Sequence, residues 1–198
     1  MVSEPRRQLS DDHQAVHEIL KQLLTALGNK DVQTGCRKLD LLWARLAVHI
    51  RAEHLHLFPT VMTRLTESPA QDSTKARSIV ETLYDDHNFF MRELAQALAT
   101  LRELPNQIDS PVNEAALDRV LEAVRAVATR LARHNEIEEH EIYVWATTML
   151  TDSEQAQLAT QINHELETRP PRFSPEAWLN ECLLGDDHAH GGVGHSES

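Results

Sequence analysis

Two stretches of the sequence place an imidazole four residues ahead of a carboxylate: His49-Ile-Arg-Ala-Glu53 and His134-Asn-Glu-Ile-Glu138. On a helix, positions i and i+4 differ by about 40° around the axis. Both side chains then project from one face, a turn apart, where they can hold one metal ion or bridge two. An earlier segment of each half supplies a lone histidine, in Asp11-Asp12-His13 and in Asp85-Asp86-His87, and the motif continues as Leu57-Phe58 in one half and Ile142-Tyr143 in the other. This is a twofold recurrence of one motif pair rather than a solenoid period. The tripeptide Asp-Asp-His carries no weight by itself, because Asp186-Asp187-His188 repeats it near the end of the chain; its helical context supplies the specificity.

The apolar pattern fixes which way these residues face. Advancing 100° per residue from His49, Leu42 falls near about 20°, Glu53 near about 40°, Leu46 near about 60° and Leu57 near about 80°. From His134, Val127, Glu138, Leu131 and Ile142 take the same four angles. The His–Glu pairs therefore lie inside apolar stripes. A single such pair is an ordinary surface neighbour pair, but a buried carboxylate must be paired or coordinated, and two in matching settings make a shared metal centre the economical explanation. The expected ligands are His13, His49, Glu53, His87, His134 and Glu138. His17 lies one turn after His13 and competes with it, but its counterpart in the repeat is Met91, which favours His13. His56 and its counterpart Glu141 are expected to face inward one turn beyond the two glutamates, as supporting or pore-lining groups. His54 and His140 point away from the stripes and are expected in solvent.

These residues need long helices. Four periodic stretches, about 10–28, 32–65, 70–104 and 112–150, are separated by Gly28-Asn29, Ser68-Pro69 and the polar linker 105–111, the pattern of an all-α four-helix bundle. Ser10 is the expected cap of the first helix. Thr151-Asp-Ser-Glu154 has capping-box form and opens a shorter helix, and Ser174-Pro175-Glu176 opens a second to about residue 184. The expected organisation is a bundle over 1–150, accessory helices packed on it over 151–184, with Trp178 and Leu179 docking, and a disordered His/Gly tail over 185–198.

Composition removes other classes. The chain of 198 residues carries a net charge of −12, with no long basic stretch, so nucleic acid and anionic membrane surfaces are not expected partners. The longest uncharged apolar stretch, 142–150, is about half of a membrane span, and the polar N-terminus reads as cytoplasmic. Cys36 and Cys182 have no Cys-x-x-Cys spacing, so any metal takes nitrogen and oxygen donors. There is no phosphate-binding glycine loop within a strand–helix setting and no Gly-x-Ser-x-Gly elbow. A ferritin-like site needs Glu-x-x-His twice; Glu53-His-Leu-His56 fits once, but Ile137 and Gln161 stand where the second glutamate would precede His140 or His164.

At His13, His49-x3-Glu53, Leu57-Phe58-Pro59, His87 and His134-x3-Glu138 the chain resembles the hemerythrin-like HHE cation-binding family, over about residues 9–150. The resemblance implies an antiparallel up-down bundle around two iron ions, a non-haem di-iron centre bridged by the two glutamates and an oxo, hydroxo or water ligand, with manganese or zinc as alternatives. Oxygen-carrying hemerythrins have a further histidine where this chain has Met91 and an aspartate where it has Glu139. Repair proteins for iron-sulfur centres usually carry a cysteine in an N-terminal segment, and residues 3–9 have none. The resemblance thus implies a protein that senses, scavenges or reacts with dioxygen, peroxide or nitric oxide, with peroxidase- or oxidase-like activity, and not a reversible oxygen carrier. The competing expectation is a non-catalytic iron-responsive or iron-buffering module that reports metal occupancy to a protein partner.

Overall fold

The computed structural model describes residues 5–67 and 73–168, all of them helical or in short connections. Helix α1 (Pro5–Gly28) starts earlier than the Ser10 cap predicts, because Pro5 and Leu9 are buried and their packing extends the helix past the local signal. It ends at Gly28, as expected. Lys30 takes a left-handed backbone (φ 59°) and Asp31 accepts from the Thr34 amide at 2.9 Å, so the turn caps helix α2 (Val32–Ala52) and reverses the chain. At Gly35 the first turn of α2 approaches α1 closely; an added Cβ would lie 2.9 Å from Leu27 Cδ2.

The second long stretch is not one uniform α-helix. After α2 comes a π-turn, π1 (Glu53–Leu57), in which the Phe58 amide donates to the Glu53 carbonyl, and then helix α3 (Phe58–Glu67). Helix α4 (Ser73–Glu103) runs back. Helix α5 (Pro111–Ile137) has Ser110 as its cap and Pro111 at its first position, and passes through a second π-turn, π2 (Glu138–Ile142), into helix α6 (Tyr143–Met149). The capping box is present: the Thr151 amide and hydroxyl donate to Glu154 at 2.9 and 2.8 Å, opening helix α7 (Asp152–Glu167). Helix α7 packs on α1, α2 and π1. The expected helix over 174–184, the docking of Trp178 and Leu179, and the tail over 185–198 lie outside the described residues.

The helices pack antiparallel, α1 against α2 and α5, and α4 against α2 and α5. Their apolar residues form two clusters. One holds Val16, Leu46, Phe90 and Leu131, the other Leu9, Leu57, Phe58, Leu83, Ile142 and Tyr143. Each half's histidines and glutamate fall where its helices cross from one cluster to the other. The buried polar groups thus form one layer between two apolar ones. No helix among the described residues is long and apolar enough to cross a membrane.

Candidate metal centre

All six residues singled out by spacing are buried in this layer. Their donor atoms form two overlapping groups, His13, His49, Glu53 and Glu138, and Glu53, His87, His134 and Glu138, with the atoms of each group within 4.8 Å of one another. The glutamates belong to both. In the first group His13 Nε2 lies 3.2 Å from His49 Nε2 and 3.3 Å from Glu138 Oε2, and His49 Nε2 lies 3.2 Å from Glu53 Oε1. In the second, His87 Nε2 lies 3.0 Å from His134 Nε2 and 3.3 Å from Glu53 Oε2, and His134 Nε2 lies 3.1 Å from Glu138 Oε1. One oxygen of each glutamate therefore faces each histidine pair.

The two histidine pairs are within hydrogen-bond geometry, but the approaches to the glutamates are not: all four carboxylate oxygens are buried without an aligned partner. Four acceptors left so in an apolar layer would be costly. Donors converging on a common point look different. With metal–ligand distances of about 2.1 Å, adjacent ligands of one ion stand about 3 Å apart, the edge length seen in both groups. Two overlapping buried His/Glu groups of this shape are the arrangement a dinuclear metal site uses.

The outer faces of the imidazoles are held as well. His49 Nδ1 donates to Asp12 Oδ2 at 3.0 Å, and Arg45 Nη2 donates to Asp12 Oδ1 at 2.5 Å. The other half repeats this, with His134 Nδ1 donating to Asp86 Oδ2 at 3.2 Å and Arg130 donating to Asp86 Oδ1. A bond at Nδ1 fixes the ring and leaves Nε2 turned to the centre. Burial alone raises the Asp12 carboxyl, but His49 and Arg45 outweigh it and hold it at about 2. Burial disfavours the His134 imidazolium, yet Glu138 and Asp86 raise the group to about 10, and Glu53 and Asp12 likewise lift His49 well above its ordinary value. Against burial, and for Glu53 against the neighbouring Glu138 as well, the imidazoles keep both central glutamates below the usual carboxylate range. Without metal, His49 and His134 are imidazolium beside the two carboxylates.

The surroundings depart from expectation at several places. His54, expected in solvent, is half-buried and shares a 2.8 Å hydrogen bond with His87 Nδ1; burial and then His87 push it down to about 4. His56 and Glu141, expected to face inward, turn outward to Glu165 of α7 at 3.5 Å and to Lys75 at 2.9 Å. Both differences have one cause. The π-turns begin at Glu53 and Glu138, and an i→i+5 bond fits an extra residue into the turn, so the 100° phase fails beyond each glutamate. His140 is exposed, as expected. His17 is exposed and lies outside both donor groups, and Met91 packs on the first apolar cluster. Glu139 is outside the groups too; it lies 3.3 Å from His13 Nδ1, the outer nitrogen.

Spacing pointed to the six central residues but missed the aspartates and arginines behind them. Their signal was present: Arg45-x3-His49-x3-Glu53 and Arg130-x3-His134-x3-Glu138 match, and the second aspartate of each Asp-Asp-His is the one used. The halves also differ. The Tyr143 hydroxyl lies 3.2 Å from His13 Nε2, whereas its counterpart Phe58 stacks on His87 with no polar group. Burial, then Glu138 and Glu53, push the Tyr143 hydroxyl well above its ordinary value, so it stays a donor. Comparison with protein-family models, with curated proteins and with solved structures finds no match for this chain.

Proposed function

We propose that the protein is a dinuclear non-haem iron protein, similar to the hemerythrin-like HHE proteins, that reacts with dioxygen, peroxide or nitric oxide and does not carry oxygen reversibly. The observation that carries this reading is the division of Glu53 and Glu138 between the two donor groups, one oxygen of each toward each histidine pair. In this assignment His13 and His49 would hold one ion and His87 and His134 the other, with Glu53 and Glu138 offering one oxygen to each. Four imidazoles, two carboxylates and no thiolate suit iron and also admit manganese or zinc. When bound, an iron pair supplies two one-electron changes at one place.

The chain's own residues do the rest. Asp12 and Asp86 would keep the His49 and His134 rings oriented, each bonded at its outer Nδ1 with Nε2 turned to the centre, where a metal displaces the remaining proton. Leu57, Phe58 and Ile142 below the layer and Leu46, Phe90 and Leu131 above it limit water. Each ion would receive two imidazoles, because Met91 sits in the apolar cluster and Glu139 faces an outer nitrogen. Fewer imidazoles and more carboxylate per ion favour the oxidised state, which opposes the return of both electrons that a carrier requires.

The test is an optical titration of iron-loaded protein under anaerobic conditions, followed by oxygen, peroxide or nitric oxide. Oxygen is expected to give a stable oxidised spectrum that removal of oxygen does not reverse. Recovery of the reduced spectrum over several cycles would overturn the reading. A second reading, the iron-responsive module, is favoured by one contact. Glu165 of α7 accepts from Arg51 at 2.6 Å and meets His56, which follows Glu53 in π1, so α7 touches the segment that carries a bridging residue. Metal-dependent hydrogen-exchange protection of α7 without peroxide consumption would favour it; rapid peroxide consumption favours the first.

A further inference from the structure

The two halves of the centre match position by position, so a difference between them stands out. Asp12 and Asp86 serve His49 and His134 alike, each with an arginine behind it. The other two histidines do not have matching support. With His49 set on His134, His54 corresponds to Glu139. His13 Nδ1 faces Glu139 Oε1 at 3.3 Å, and His87 Nδ1 faces His54 Nε2 at 2.8 Å. The same position of the repeat thus supplies a carboxylate to one half and an imidazole to the other.

An imidazole that binds a metal through Nε2 keeps its proton on Nδ1 and donates outward. His13 then donates to an anion. His87 donates to a neutral ring, because a ring nitrogen that accepts carries no proton; Tyr84 packs on that ring with 4.3 Å between centroids. The His54 bond is the shorter, but it brings no charge, and a charge-assisted bond is about twice as strong as a neutral one. A carboxylate at the outer nitrogen also makes the inner nitrogen a more basic ligand. The surroundings act in the same direction. The Tyr143 hydroxyl lies 3.2 Å from His13 Nε2, and a cavity of about 460 Å³ between α1 and α5 extends from His13 to the exposed Lys21 and Thr25. On the other side the rings of Phe58 and Phe90 pack on His87. A cation is held at lower cost in the more polar setting.

We propose that the two metal positions are unequal: the one at His13 and His49 binds its ion more tightly and fills first, and Glu139 and His54 are the positioning residues that set the order. The proposal rests on the metal-centre reading. When metal is scarce the chain is then held half-loaded, and the exchangeable ion is the one whose His87 bonds to π1, the turn against which α7 packs.

Zinc, which is diamagnetic, is the probe. It is added at about half an equivalent to the metal-free full chain, and the ring nitrogens of the four central histidines are followed by NMR. Equal positions would share the ion evenly between the two pairs. The expected result is at least about tenfold greater occupancy at His13 and His49 than at His87 and His134. Glu139→Gln keeps an acceptor and removes the charge, so it is expected to bring the two occupancies within about threefold of each other. His54→Glu is expected to narrow the gap from the other side, by strengthening the second position. Even sharing in the unsubstituted chain, or greater occupancy at His87 and His134, overturns the proposal. An uneven distribution that Glu139→Gln leaves unchanged overturns it too, and this variant, at a partly exposed position, decides the matter if His54→Glu fails to fold. A chain that takes up no zinc at all overturns the metal-centre reading instead.

Discussion

Asp12 and Asp86 each hold a histidine ring on one side and an arginine on the other, so they set the direction of His49 and His134 without facing the centre. Asp12→Asn or Asp86→Asn is expected to weaken metal binding about 10- to 100-fold, and competition with a chelator of known affinity measures it. The protons at these residues also set a pH dependence. His134 is raised to about 10 from an ordinary 6.5, so its imidazolium stabilises the metal-free fold fully below pH 6.5, and that contribution is lost as pH rises through about 10. Asp12, held at about 2 against an ordinary 3.8, contributes above 3.8 and loses its contribution as pH falls toward 2. Metal binding must displace the histidine protons. Thermal melts are therefore expected to show the metal-free protein weakening from about pH 6.5 upward while iron affinity rises over the same range; a metal-free melting temperature that rises there would contradict a buried His134 imidazolium. The central donors were legible at this scale because burial of His and Glu inside an apolar stripe needs a partner. Asp12 and Asp86 were not, because a residue one position before a ligand has no periodic signature of its own, and only the recurrence with Arg45 and Arg130 marks it.

The π-turns are the element that periodicity hides. Helix lengths, the Gly28 stop, the linker before Pro111 and the capping box at Thr151 all follow from local signals, and the glutamates fall where the α phase puts them. Beyond Glu53 and Glu138 the phase slips, because a rule of constant turn cannot register one extra residue in a turn. The slip brings His54 to His87 and sends His56 to α7. Deleting Leu55, which is 56% exposed, removes that residue from π1 and restores an α turn while leaving the faces of α2 and α3 in place. The variant is expected to retain its helix content by circular dichroism, and the His54 imidazole, freed from His87, is expected to titrate near 6.5 rather than about 4 when followed by NMR. A His54 that still titrates near 4 would show that the π-turn does not position it.

At the scale of the whole molecule, two apolar clusters enclose one polar layer, and the layer is the weak point of the metal-free fold. A metal that binds only the folded state adds RT ln(1 + [L]/Kd), about 4 kcal/mol at a thousandfold excess over Kd. Chelation is accordingly expected to lower the melting temperature by several degrees, read by calorimetry on the same sample before and after metal removal. The bundle itself was legible in four periodic stretches and short turns, and the repeat gave its symmetry; the cavity between α1 and α5 was not, because a cavity depends on which side chains two helices bring together, here Leu24 of α1 and Ala128 of α5 among its lining. The most direct test of the account is metal stoichiometry. Reconstituted anaerobically with ferrous iron and freed of excess, the chain is expected to hold about two irons, and Glu138→Ala, which takes one oxygen from each donor group, fewer than two; one iron or none in the unsubstituted chain, or two retained by Glu138→Ala, would contradict a dinuclear centre bridged by Glu53 and Glu138.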